Sequence, residues 1–122
     1  MPCGFLNIDK PSGPTSRRVL DVVARLVRPV RAGHAGTLDP LATGVLVVAV
    51  GRATRLISSV QSGTKQYRAR FLLGQTSQTD DSSGDVQVSD PAPNVSRDRL
   101  EETLSKWVGR FEQVPPQFSA VK

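Results

Sequence analysis

Several residue types are scarce in this chain of 122 residues, and each scarcity excludes a class of site. Cys3 is the only cysteine, so no internal disulfide can form, which fits a reducing compartment. With one cysteine and one histidine, His34, the chain has too few ligands for a typical zinc site. No Gly-x-x-x-x-Gly-Lys phosphate loop and no Gly-x-Ser-x-Gly nucleophile elbow is present.

Long apolar runs are also missing. The longest, residues 45–50, is far too short to span a bilayer, and no basic region followed by an apolar run opens the chain. Aromatic residues make up 5% of the sequence, so we expect an aliphatic core. A hydrophobic content of 38% and a charged content of 22% predict a globular protein with no membrane partner, and the length fits one domain. The single cysteine fits a location in the cytoplasm.

The charge is unevenly distributed along the chain. Residues 1–70 contain eleven Lys/Arg and three Asp/Glu, whereas residues 71–122 contain five and eight. A basic half suits a polyanion such as RNA, although a solvated basic surface is equally compatible with these counts.

The hydrophobic periodicity predicts alternating strands and helices, which is typical of an α/β or α+β domain. A strand is predicted at 4–9, because Phe5, Leu6 and Ile8 are apolar strand formers ahead of a proline-rich segment. Residues 45–50 are all apolar and end at a glycine, so we predict a second strand there, central in a sheet. A helix is predicted after Thr15 and Ser16, with its stop at Pro29. The other predicted elements are a short helix at 52–60, a half-buried strand at 65–73, a loop or hairpin end at 74–85, a helix at 97–108 and an extended segment from 114.

Residues 31–44 carry the most chemistry. Three glycines and one proline predict a shaped loop, in which Asp39 follows His34 by five residues and directly precedes Pro40. A carboxylate on a rigid loop suits a covalent or an acid–base step. Asp-Pro is also a common turn starter, so the residues alone leave both a catalytic Asp39 and an ordinary turn open.

Five segments, in the same order along the chain, resemble the TruB-type pseudouridine synthases. One of them, HAGTLDPLATGVL at residues 34–46, resembles the catalytic loop of that family. The others are GFLNIDKPSGPTS at 4–16, GRATRL at 51–56, the stretch 65–84 and QVPPQFSAVK at 113–122. The resemblance implies a mixed sheet flanked by helices, present here only in part. The related enzyme of guide-RNA complexes is less similar in the loop segment PLATG.

The resemblance implies an isomerase that converts a uridine of tRNA, position 55 in the T-arm loop, to pseudouridine without a cofactor or metal. It implies that Asp39 is the nucleophile, that Tyr67 stacks on the target base and that His34 inserts into the RNA. Lys10 and Pro11 match a pair that supports the active-site loop. The remaining residues that it places at the substrate are Gly36, Thr37, Leu38 and Asp80.

The resemblance also implies that residues 1–122 are the amino-terminal part of a catalytic domain, without its carboxy-terminal half and RNA-binding domain. The arginine that partners the aspartate in this family falls in that other half. We therefore expect the chain alone to have weak activity or none. A monomer is expected as well. Two other hypotheses stay open: a non-catalytic module that binds or refolds RNA, and a structural piece of a larger chain.

Overall fold

The computed structural model describes residues 1–91 and 93–114. They form two compact units, one from Met1 to Tyr67 and one from Arg68 onwards. No helix in the described residues is both long and apolar enough to cross a bilayer. The first unit contains β1 (Gly4–Lys10), α1 (Ser16–Leu26), β2 (Ala32–His34), β3 (Gly44–Val50), a 3₁₀ helix (Gly51–Leu56) and α2 (Ile57–Gln61).

The sheet of the first unit has the order β1–β3–β2, and both pairings are antiparallel. β1 pairs with β3 along its whole length, from Gly4 opposite Val50 to Lys10 opposite Gly44. β3 is therefore central, as the run of apolar residues predicted. The α+β alternative of the predicted fold class is confirmed, because helices and strands are mixed and every pairing among the described strands is antiparallel.

The core of the first unit lies between α1 and one face of the sheet. Leu20 and Val23 of the helix pack against Leu46, Val48 and Val50 of β3. Each such side chain contributes roughly 1.5–3 kcal/mol when fully buried. The helix begins where the sequence predicts, because the Thr15 hydroxyl accepts a hydrogen bond from the Arg18 amide and caps its first turn.

Two expectations for the first unit need correction. Residues 31–44 are not all loop, because β2 pairs with β3 and satisfies backbone groups of the central strand. The short helix predicted at 52–60 is a 3₁₀ helix followed by an α-helix of five residues. Ala53 faces inward as expected, whereas Leu56 is exposed.

The second unit contains a two-stranded hairpin and one helix. The strands are β4 (Gln75–Thr76) and β5 (Gln87–Val88), so the hairpin end expected at 74–85 is confirmed. Helix α3 (Arg97–Ser105) is capped by Ser96 and ends three residues earlier than predicted. The residues expected on its inner face are exposed, namely Leu100, Leu104, Trp107 and Val108.

The strand predicted at 65–73 is wrong, because residues 64–72 have no regular secondary structure. Its alternating pattern requires a neighbouring strand, and no described strand pairs with this segment. The extended segment predicted from Val114 lies outside the described residues after its first position.

Candidate active site

Asp39 lies in the connection between β2 and β3, with its side chain exposed. The Asp39 carbonyl accepts a hydrogen bond from the Ala42 amide at 3.0 Å, which closes a tight turn through Pro40 and Leu41. Proline fixes its own φ angle, so the backbone just after the carboxylate has little freedom. The loop therefore presents a free carboxylate from a constrained backbone.

The residue before Asp39 is held by the start of α1. The Ser16 hydroxyl donates to the Leu38 carbonyl at 3.0 Å and accepts from the Leu38 amide at 2.9 Å. Ser16 is only 2% exposed, and the Leu38 side chain packs against the core of the first unit. Both the backbone and the side chain of Leu38 are thus anchored.

The residue after Asp39 is held by the end of β1. Lys10 is fully buried, and its ammonium donates to the carbonyls of Pro11 at 2.8 Å, Pro14 at 2.8 Å and Pro40 at 3.1 Å. The Gly13 amide donates to the same Pro40 carbonyl at 2.7 Å. All three ammonium hydrogens are used, which offsets part of the cost of burying the charge. Lys10 thereby joins residues 11–14 to the Asp39 loop.

His34 ends β2 at half-buried depth, and its Nδ1 donates to the Gly36 carbonyl. A carbonyl only accepts, so Nδ1 carries the hydrogen and Nε2 of the neutral ring is left as an acceptor. Gly36 has φ of +114°, a conformation that other residues rarely adopt. The glycine thus permits a turn between β2 and the exposed Thr37, in which its carbonyl meets the imidazole.

The structure brings some of the predicted site residues together but not all. Lys10 contacts Pro40, the residue after Asp39, and Leu38 is the residue before it. His34 ends β2 and is hydrogen-bonded to Gly36 in the connection that also carries Asp39. Tyr67 ends the first unit, in an irregular segment, with 70% of its surface exposed. Asp80 belongs to the second unit, where it adopts a φ of +56°.

In the second unit it is Asp81, not the predicted Asp80, whose carboxylate the loop organises. The hydroxyl of Thr79 at 2.7 Å and the amide of Ser83 at 2.8 Å donate to Asp81 Oδ1, and so does the Ser83 hydroxyl. The hydrogen bond from the Ser83 side chain, with those from Thr79 and the Ser83 amide, lowers the pKa of Asp81 below 3.8. The serines and threonine flanking the aspartate pair were the sequence signal for this cluster.

Sequence reasoning also missed a shallow depression beside β2. It has a volume of about 400 Å³ and is lined by Arg31, Arg55, Thr54, Ile57 and the backbone of Ala32 and Gly33. Two guanidinium groups at its border can accept an anion such as a phosphate. In the described part of the chain, no three His, Cys, Asp or Glu side chains gather as a metal site would require.

A model of a known protein family also matches this chain. A model described as "TruB family pseudouridylate synthase (N terminal domain)" matches residues 24–122, which include the whole Asp39 loop. The chain belongs to the TruB family. The family that the sequence segments resemble is therefore confirmed.

Curated relatives of this TruB family chain agree along nearly its whole length. The tRNA pseudouridine synthase B of Heliobacterium mobile is 49% identical over 118 residues, which are 97% of this chain and 38% of the relative. The protein of the same name from Roseobacter denitrificans is 49% identical over 120 residues, which are 98% of this chain and 39% of the relative. The chain thus spans about two fifths of the length of these relatives.

A solved structure supports the same fold for the TruB family chain. The crystal structure of a Cbf5-Nop10-Gar1 complex contains a chain that matches with a TM-score of 0.62 and 29% identity. The match covers 98% of this chain and 31% of that one. The arrangement of strands and helices described above therefore has a solved counterpart.

Proposed function

We propose that this chain supplies the nucleophile of a tRNA pseudouridine synthase and that the nucleophile is Asp39. The observation that carries the proposal is an exposed carboxylate whose neighbours on both sides are anchored by buried side chains, Leu38 by Ser16 and Pro40 by Lys10. A reacting group that is held in one geometry reacts faster, because less orientational freedom is lost when the transition state forms. Membership of the TruB family supports the same assignment.

The reaction exchanges one bond of the nucleotide for another. The bond between uracil N1 and ribose C1′ breaks, a bond between uracil C5 and C1′ forms, C5 loses a proton and N1 gains one. No electron is transferred to another molecule, so no redox cofactor is needed. The Asp39 carboxylate acts as the covalent partner that holds the reacting nucleoside between the two bond changes.

The target base has to leave its stack before the carboxylate can reach it. Extruding a base costs a few kcal/mol, of which an aromatic platform recovers roughly 1–3 kcal/mol. We assign this stacking to Tyr67, whose ring is largely free, and the holding of the vacated RNA loop to His34. The other substrate contacts are assigned to Gly36, Thr37, Leu38 and Asp80.

The substrate we propose is the T-arm loop of tRNA, with uridine 55 as the target. The basic first half of the chain, and the pair Arg31 and Arg55 around one depression, supply positive charge for a phosphate backbone. We further assign residues 1–122 to the amino-terminal part of the catalytic domain, acting as a monomer in the cytoplasm. The relatives' name, tRNA pseudouridine synthase B, supports the tRNA assignment.

Asp39→Asn tests the nucleophile. The amide keeps the size of the side chain but is a poor nucleophile, so pseudouridine formation on an unmodified T-arm stem-loop should fall by roughly 10³-fold or more. Release of tritium from uridine labelled at C5 measures the reaction, and filter binding measures the affinity for the RNA, which should change by less than about twofold.

Asp9→Asn is the matched control, since Asp9 is also exposed in the first unit and makes the same change of charge. It should retain full turnover. Normal turnover by Asp39→Asn, or an equal loss in both variants, would remove Asp39 from the role of nucleophile. A wild-type chain that forms no pseudouridine would reject the activity for this chain by itself.

A second candidate function is binding or refolding of RNA without catalysis. The charge asymmetry supports it, because eleven Lys/Arg against three Asp/Glu in residues 1–70 suit contacts with a phosphate backbone whether or not a base is converted. If the chain binds the stem-loop RNA but forms no pseudouridine, the second function holds and the first does not.

A further inference from the structure

Ser16 makes a contact that its position in the helix does not require. It is the first residue of α1, yet the cap of that helix is already supplied by the neighbouring Thr15, which accepts from the Arg18 amide at 3.1 Å. The Ser16 hydroxyl instead turns away from its own helix and binds Leu38, which is 22 residues further along the chain. The two adjacent hydroxyls therefore have separate tasks.

One hydroxyl fixes two peptide groups. The Leu38 amide, 2.9 Å from Ser16 Oγ, belongs to the peptide shared with Thr37. The Leu38 carbonyl, 3.0 Å from the same oxygen, belongs to the peptide shared with Asp39. A hydroxyl can donate one hydrogen bond and accept another, so both roles are filled at once. The backbone nitrogen of Asp39 thus lies in a peptide plane that Ser16 holds.

Burial strengthens this arrangement. Ser16 is 2% exposed, so water does not readily replace either hydrogen bond. A buried polar group that loses its partner costs more than the bond contributes when made. Leu38 cannot shift without leaving the hydroxyl and its own two backbone groups without partners.

We propose that Ser16 is the positioning residue for Asp39: it fixes the backbone from which the carboxylate projects and so sets the direction of attack. This proposal rests on the function proposed above for Asp39. Lys10 and Gly13 donate to the carbonyl of Pro40, the residue after Asp39. Ser16 holds Leu38, the residue before it.

The test compares Ser16→Ala with Thr15→Ala. Ser16→Ala removes both bonds to Leu38, whereas Thr15→Ala removes a cap of the same helix and leaves Leu38 untouched. Ser16→Ala should lower the single-turnover rate by about 10–100-fold while the Kd for the stem-loop stays within about twofold, because misplacement of a reacting group affects rate more than binding. Thr15→Ala should lower the rate by less than about threefold at a comparable loss of Tm.

Two further variants guard against a folding defect. Ser16→Thr keeps the hydroxyl and should restore most of the rate. Ser16→Cys keeps the volume with a weaker donor and should give an intermediate rate. Equal losses of rate in Ser16→Ala and Thr15→Ala at equal Tm, or a loss seen in Kd and not in the rate, would overturn the proposal.

Amide hydrogen exchange gives a readout independent of turnover. In Ser16→Ala the Leu38 amide should exchange at least about tenfold faster than in the wild type, while the Val48 amide of β3 changes no more than it does in Thr15→Ala. If the wild-type chain makes no pseudouridine, the proposed function fails for this chain, and exchange at Leu38 still decides whether Ser16 holds the loop. An unchanged Leu38 exchange rate would reject the inference in either case.

Discussion

At the scale of single residues, the most unusual feature is a buried charge without an opposite charge. Lys10 is 0% exposed, and none of the ion pairs among the described residues includes it. Its ammonium is surrounded by the carbonyls of Pro11, Pro14 and Pro40 instead. Pro40 has a second donor in Gly13, so the carbonyls of Pro11 and Pro14 depend most on the lysine.

Lys10→Met tests that dependence. Methionine fills a similar volume but leaves the carbonyls of Pro11 and Pro14 without this donor, so the free energy of unfolding should fall by about 1–3 kcal/mol. Urea denaturation followed by circular dichroism measures the change. Lys65→Met is the control, since Lys65 is exposed and donates one hydrogen bond to Gln61, and it should change stability by less than about 0.5 kcal/mol. A loss no larger than in this control would show that Lys10 contributes little to the fold.

The sequence placed Lys10 and Asp39 in one site through resemblance but could not show how they are connected. A lysine in a Lys-Pro-Ser-Gly-Pro segment is normally a solvated loop residue. Its burial depends on a partner carbonyl at Pro40, 30 residues away. Contacts of that range follow from the packing of β1 beside β3, which no local pattern specifies.

At the scale of elements, local patterns predicted what local forces stabilise. The helix after Thr15 has a clear helical periodicity, the strands 4–9 and 45–50 have apolar residues between clear ends, and all three elements are present. β2 was missed because its sequence, Ala-Gly-His, has no strand preference and gains its structure from pairing with β3. Residues 65–73 are the opposite case: their sequence alternates as in a strand, but the segment forms no strand because no described strand pairs with it.

The loop of the β4–β5 hairpin should respond to acid through Asp81. Hydrogen bonds from Ser83 and Thr79 to the carboxylate lower its pKa in the folded state, so the ionised form contributes stability. That contribution is fully present above the unfolded pKa, near 3.8, and is lost as the pH falls through the lower folded value. The Ser83 amide resonance should therefore titrate with a midpoint below 3.8 in NMR spectra.

Asp81→Asn should remove this titration, whereas Asp80→Asn should retain it, because no side-chain hydrogen bond to Asp80 occurs in the described residues. A midpoint at the ordinary aspartate value, or a titration that survives in Asp81→Asn, would show that another group controls the loop.

At the scale of the whole molecule, the uneven charge bears on the proposed affinity for RNA. Two basic surfaces are present in the first unit: the outer side of α1 with Arg17, Arg18 and Arg25, and the depression with Arg31 and Arg55. On α1, Asp21 pairs with Arg17 at 2.9 Å and accepts from Arg25 through its carbonyl, so part of that positive charge is already engaged.

The salt dependence of RNA affinity distinguishes these surfaces. Each phosphate contact contributes about one unit to the slope of log K against log salt, so Arg31→Glu with Arg55→Glu should reduce the slope by about 2. The pair Arg17→Glu with Arg18→Glu makes the same change of charge on α1 and is the matched control. An equal reduction of the slope by both double variants would indicate that the positive charge acts as a diffuse electrostatic field. A larger reduction by the α1 variant would place the RNA against the helix.

The three carbonyls around Lys10 tie the chain into a noncovalent ring that runs from β1 to the turn after Asp39. A ring closed by a dehydrated ammonium cannot open by small steps, because releasing the Pro40 carbonyl would leave part of that charge unsolvated. The backbone on both sides of Asp39 is therefore held in place, while its exposed side chain keeps its own torsional freedom. If a nucleoside reacts with Asp39 as proposed, this backbone does not move toward it, so adjustment of shape on binding falls to the substrate and to segments outside the ring.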